Sequence, residues 1–156
     1  MSFTALHRAV GATPDPLTDD LLDAAVAAGT TEASDLGWKA QLPPAKGLTQ
    51  TDFPKDVAAM ANSGGGLIVY GVEESQKAAT GRVDAGEFDE TYERTLRSAA
   101  ITAVSPPVFG LNVHRLEADG KRAIAVEVPA SIDGPHLIYR TTTSARPSGM
   151  TPTPCG

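Results

Sequence analysis

Residues 56–75 read DVAAMANSGGGLIVYGVEES. An apolar helical run ends in Asn62-Ser63, and three glycines follow at Gly64, Gly65 and Gly66. An apolar strand starts at once, and the stretch closes on Glu73 and Glu74. A helix leaves its last carbonyls without intrahelical partners, and Asn followed by glycine permits the left-handed turn that satisfies them. Consecutive glycines also let the backbone come close to another surface, either the protein's own sheet or a ligand. The order helix, glycine, strand is the reverse of a P-loop, which runs strand, glycine, helix and ends in Lys-Ser/Thr. Phosphate capture at a helix N-terminus is therefore excluded for this stretch. The run from Gly66 to Tyr70 is apolar, as suits a central strand covered on both faces.

Working outward, Thr51 is placed to cap the helix that carries Phe53, Val57, Met60 and Ala61 on one face. Before it, Leu36 and Trp38 alternate with Asp35, Gly37 and Lys39, the period of a half-buried strand, and QLPPAKGLTQ reads as a loop. Two helices are expected nearer the start. One spans residues 2–10 with Phe3, Leu6 and Val10 in phase. The other is capped by Thr18, acidic in its first turn and ended by Gly29, a solvated lid on the core. Beyond the central strand, EESQKAATGRVDAG reads as a polar loop. Phe88, Tyr92, Leu96 and Ala99 mark a helix over 87–103, and two strands flank Asp119-Gly120. The pattern predicts a single α+β domain with a mixed sheet and packed helices over residues 30–140. A helical segment precedes it at 1–29 and an irregular tail follows at 141–156.

The bulk numbers fit one domain. The chain has 156 residues, 41% hydrophobic and 21% charged, enough for one core and too few for two comfortable ones. The lone cysteine, Cys155, rules out an intramolecular disulfide and suits a reducing cytoplasm, the expected compartment. Apolar runs such as LIVY are far too short to span a bilayer, and no signal peptide is recognised. A net charge of −6 and a pI near 4.9 argue against nucleic-acid binding by the whole surface, leaving a local basic face as the way to bind one.

Taken together, EASDLGWKAQLP, FPKDVAAMANSGGGLIVYGVEES and VPASIDGPH resemble the Schlafen-type AlbA-like domain. That family is catalogued under a DNA-binding label and, in an older one, as a divergent ATPase. The resemblance spans about residues 30–140 and implies an AlbA-like α+β nucleic-acid-binding module. In some eukaryotic relatives the module is a metal-dependent ribonuclease built on three carboxylates. Carried over by residue, the first carboxylate falls on Glu32, the family's lysine on Lys39, and the third carboxylate on Glu73 or Glu74, at the end of the central strand. The second falls on Gly37, which supplies no ligand, with Asp35 two residues earlier as a partial substitute. The expectation is a non-catalytic domain needing no cofactor, the divalent cation being the exception the resemblance raises. Simple solvation is the reading preferred for those acids.

For binding, Lys39, Lys46 and Lys55 lie around the loop and helix before the glycines, and Arg94 and Arg97 sit one turn apart on the later helix. With Asn62 and the amides of Gly64, Gly65 and Gly66, these are the candidate nucleic-acid contacts. His136 is assigned no catalytic role. The rival readings are an ATP-binding module, a degenerate Schlafen-type ribonuclease and a protein-interaction domain.

The tail TTTSARPSGMTPTPCG is Thr/Ser/Pro-rich and lacks apolar period. One back-translation of it reads NDYFGAPVRNDADTVW in a neighbouring frame, so a frameshifted end is the companion expectation. Without a folded continuation, the strand at HLIYR would keep an exposed edge open to a second copy.

Overall fold

The computed structural model describes residues 4–131 and 135–138, and the backbone of 153–154. Four helices, α1 (Ala5–Val10), α2 (Asp19–Ala27), α3 (Phe53–Asn62) and α4 (Glu90–Thr102), accompany strands β1 (Leu36–Lys39), β2 (Gly66–Tyr70), β3 (Val72–Ser75), β4 (Ala78–Arg82), β5 (Val104–Ser105), β6 (Asn112–Ala118), β7 (Lys121–Val128), β8 (Leu137–Ile138) and β9 (Thr153–Pro154). A four-stranded sheet runs in the order β1-β2-β7-β6. β1 and β2 are parallel, joined through α3, and the other pairs are antiparallel. The fold is α+β with a mixed sheet, as the sequence pattern implies.

The central strand alternates between two cores. Ile68 and Tyr70, with Ile124, Val126 and Val128, face α3 and α4 through Val57, Ala61 and Leu96. Leu67 and Val69, with Leu36, Trp38 and Ala125, face Leu6, Leu22 and Ala25 of α1 and α2. β2 is covered on both sides for this reason, and its continuous apolar run is explained. The acidic α2 is the lid expected. Thr18 caps it by accepting the Leu21 N–H at 3.2 Å, while Asp19 and Asp23 hold Arg82 of β4 at 3.1 and 2.9 Å. At α3 the hydroxyl of Thr51 accepts the Phe53 N–H at 3.3 Å, although the N-cap residue itself is Asp52.

Two expectations are corrected. The polar segment after the central strand is a hairpin, β3–β4, turned at Gln76 and Lys77, both with positive φ. Turns of this kind favour Asn and Gly, and neither occupies positions 76 and 77, so no turn residue announces the hairpin. Glu74 compensates, its carboxylate accepting the Lys77 N–H at 2.6 Å. The hairpin leaves the sheet at Gly71, whose φ is 105°. A Cβ there would lie 2.6 Å from the Arg122 carbonyl oxygen, so only glycine fits. The second correction concerns the edge at HLIYR. β8 lies between β5 and β9, so Leu137–Ile138 is no free edge. The rest of the tail and its frameshift reading lie outside the described residues.

Candidate functional site

The glycine turn is built for close packing against its own sheet. At the end of α3 the N–H groups of Ser63 and Gly65 both donate to the Met60 carbonyl, at 3.0 and 2.8 Å. Gly64 and Gly65 have φ of 96° and 93°. A Cβ on Gly65 would sit 2.9 Å from both the Ala130 nitrogen and the Val128 oxygen, and one on Gly66 would sit 2.8 Å from the Met60 sulfur. Gly66 is already in the ladder opposite Val128. Of the three amides proposed for a ligand, that of Gly65 is taken, Gly66 lies within the sheet, and Gly64 alone is exposed with open space around it. The turn also lies at a helix C-terminus, where the dipole disfavours anions.

Asn62 joins two of the sequence motifs. Its amide nitrogen donates to the His136 carbonyl at 3.1 Å, and its side-chain oxygen accepts the His136 N–H at 2.7 Å. The His136 ring is buried, with Nδ1 2.5 Å from the Pro106 carbonyl and Nε2 2.6 Å from the Ser131 hydroxyl. Asn62 and the GPH segment are thus two halves of one structural joint. Beside the turn lies a polar hollow of about 390 Å³, crossed by the salt bridge between Arg8 and Asp35.

A second, smaller cavity of about 240 Å³ brings together Glu32, Gly37, Lys39 and Asp56. Lys39 Nζ is 3.5 Å from the Asp56 carboxylate. Burial raises the Asp56 pKa, and Lys39 pulls it back only in part. Glu32 accepts the Trp38 N–H at 3.0 Å, tying the segment before β1 to the strand itself. Glu73 and Glu74 are not at the end of the central strand. They are exposed on β3, beyond the Gly71 bend, and do not line this cavity, and Asp35 opens on the glycine hollow instead. Gly37 has space for a Cβ, at 3.6 Å from the Met60 methyl, but gives no donor. Among the described residues no three His, Cys, Asp or Glu side chains group at metal-ligand spacing. The donor set does not fit a divalent cation: one acid is missing, one holds a backbone N–H, and the acid that replaces it in space already holds a lysine.

The remaining cations divide by flank. Arg94 borders an open hollow of about 480 Å³ with Gly47, Thr49, Thr91, Thr95 and Ser98, and Lys46 adjoins it. Lys55 is exposed on the first turn of α3. The loop before α3, α3 itself and α4 pack on one another. Among the described residues Lys46, Lys55 and Arg94 form no salt bridge, Arg94 making only a 3.5 Å contact to the Glu90 carbonyl. Arg97 turns the other way. It meets Glu93 at 3.3 Å and the Leu111 carbonyl at 2.5 Å, and Glu93 also holds Arg115 at 3.2 Å, whose guanidinium lies 4.8 Å over the Phe88 ring. Asp56, Gly71 and Arg115 were not singled out by sequence reasoning. Each acquires its role from a residue far away in the chain.

A family model described as Schlafen, AlbA_2 matches residues 32–150. Among solved structures, the N-terminal domain of an ATP-dependent DNA helicase RecG-related protein from Nitrosomonas europaea is similar at 21% identity and a TM-score of 0.52, with 86% of each chain covered. The DIP2311 protein from Corynebacterium diphtheriae is similar at 18% identity and a TM-score of 0.47, over 81% of this chain and 25% of that one. The chain therefore spans about a quarter of DIP2311. No curated protein matches significantly. No helix among the described residues is long and apolar enough to cross a membrane.

Proposed function

Because the chain belongs to the Schlafen AlbA_2 family, we propose that it is a nucleic-acid-binding domain that does not cleave what it holds. Lys46, Lys55 and Arg94 meet the phosphates, in a cytoplasmic setting. The observation that carries this reading is a set of cations without salt bridges among the described residues: Arg94 and the adjoining Lys46 at a hollow edged with Thr and Ser hydroxyls, and Lys55 exposed on α3, which packs on the same loop and on α4. Charged and hydroxyl side chains of this kind hold phosphate backbones without reading bases. The acidic net charge confines binding to this face. A fold shared with a domain of a DNA helicase RecG-related protein is in keeping with it.

The test is fluorescence anisotropy with single- and double-stranded DNA and RNA of equal length. Three phosphate contacts imply that affinity falls on the order of 20- to 40-fold from 50 to 200 mM salt. Replacing Lys46, Lys55 and Arg94 by Gln removes most of that salt dependence. Absence of binding at low salt, or binding indifferent to salt, overturns the reading.

A further inference from the structure

β6 ends the main sheet, and its outer edge has a defined pattern of open and closed positions. The N–H groups of Leu67 and Gly71 donate to Asp35 and Lys39, so odd-numbered residues of β2 face β1 and even-numbered ones face β7. Carried through the register, Asn112, His114 and Leu116 turn their backbone groups toward β7, while Leu111, Val113, Arg115 and Glu117 turn theirs outward. Two bonds agree with that phase and close the ends. Arg97 donates to the Leu111 carbonyl at 2.5 Å, and the Glu117 N–H donates to the Asp19 carboxylate at 3.2 Å. Between them, the outward N–H and C=O groups of Val113 and Arg115 have no partner among the described residues.

We propose that this window pairs with the same window of a second copy, antiparallel, about a two-fold axis at His114. Val113 of each copy then exchanges both backbone bonds with Arg115 of the other, and four strands from each copy form one sheet of eight. The choice of a second copy over an unrelated strand rests on the two end groups. In this register Leu111 of one copy comes opposite Glu117 of the other, so the guanidinium at Leu111 meets the carboxylate at Glu117. A guanidinium that also pairs with Glu93 closes one end of the window and a carboxylate that also pairs with Arg82 the other, and the two-fold at His114 sets each donor group against the opposite acceptor group. The neighbouring register, centred on Arg115, places like charges face to face and is disfavoured.

The pairing puts the two His114 residues in a non-hydrogen-bonded pair, where Cα atoms lie about 4.5 Å apart, within the span a disulfide accepts. Asn112 comes opposite Leu116 instead, so two residues at 112 are not adjacent. The test therefore uses the full chain with Cys155→Ser, carrying either His114→Cys or Asn112→Cys, under mild oxidation with diamide. His114→Cys gives a covalent dimer at least tenfold faster than Asn112→Cys. Sedimentation equilibrium of the unsubstituted chain shows a monomer–dimer equilibrium. Val113→Pro weakens it at least tenfold, because proline removes an outward N–H that no bond among the described residues uses. Equal cross-linking at both positions, no cross-linking, or a dimer unaffected by Val113→Pro overturns the proposal. All measurements are made without nucleic acid, so their outcome is independent of the binding reading.

Discussion

The two flanks of α3 carry the same kinds of residue and use them differently. On the flank facing the sheet, Lys39 is set against the half-buried Asp56, Asn62 clasps His136, and Gly65 lies against the backbone of Val128 and Ala130. On the flank facing the 45–50 loop and α4, Lys46 and Arg94 stand without salt bridges among the described residues, and Arg94 is exposed at the rim of an open hollow, while Lys55 is exposed on the first turn of α3. A lysine or glycine in a motif is therefore no guide to its availability. What decides is whether another element supplies a partner at bonding distance. The packed flank is expected to respond to substitution in stability, and the open flank in binding.

The largest effect is expected at Gly65. Gly65→Val adds a branched side chain where 2.9 Å separates a Cβ from two backbone atoms, at a positive φ. The cost is about 3 kcal/mol or more in urea unfolding. Gly64→Ala, equally left-handed but in open space, is expected to cost only about 1 kcal/mol. Equal costs at the two positions would break the packing explanation. Asn62→Ala comes next, with a loss of roughly 1–3 kcal/mol from the His136 groups left without partners. A stable Asn62→Ala that lost nucleic-acid binding would move Asn62 to the other flank.

A pH experiment sharpens the Lys39 assignment. Asp56 binds its proton more tightly folded than unfolded because burial raises its pKa. From the ordinary Asp range up to that raised value, the folded state holds more protons, so this group's contribution to stability declines as pH rises. Lys39→Met removes the opposing charge and steepens the decline, a difference read from urea midpoints at pH 4 and pH 7. An unchanged pH slope would mean that Lys39 leaves Asp56 unaffected. The smallest stability change, within about 0.5 kcal/mol, is expected for Lys46→Gln, Lys55→Gln and Arg94→Gln, each exposed. Their effect belongs in the salt dependence of binding. A large loss of stability there would dissolve the comparison.

Much of this was legible because it depends on periodicity and local backbone chemistry. The alternation at Leu36 and Trp38, the apolar run of β2, the Thr18 cap and the Asp119-Gly120 hairpin are all properties of short segments. The β3–β4 hairpin was missed because Gln76 and Lys77 adopt positive φ without the residues that usually announce it. That error moved Glu73 and Glu74. A strand continuing straight would have kept them at the end of the sheet, but the chain turns away at Gly71, and they end on an exposed ribbon.

By itself, then, the sequence determined the type of every α-helix and of the main-sheet strands, though not of the β3–β4 hairpin, and the two-sided burial of β2, which follow from side-chain chemistry and spacings of a few residues. The family, and with it the gap at Gly37 in the carboxylate set, came from the resemblance of whole motifs. Tertiary structure alone decided that Asp56 claims Lys39, that Arg97 turns toward Leu111 while Arg94 faces the loop, and that β6 ends the main sheet while β8 is paired on both sides. Each of those outcomes depends on a partner beyond the reach of a single helix or strand, 14 residues away or more, or on strand order. Neither is encoded in any window short enough to read along the chain.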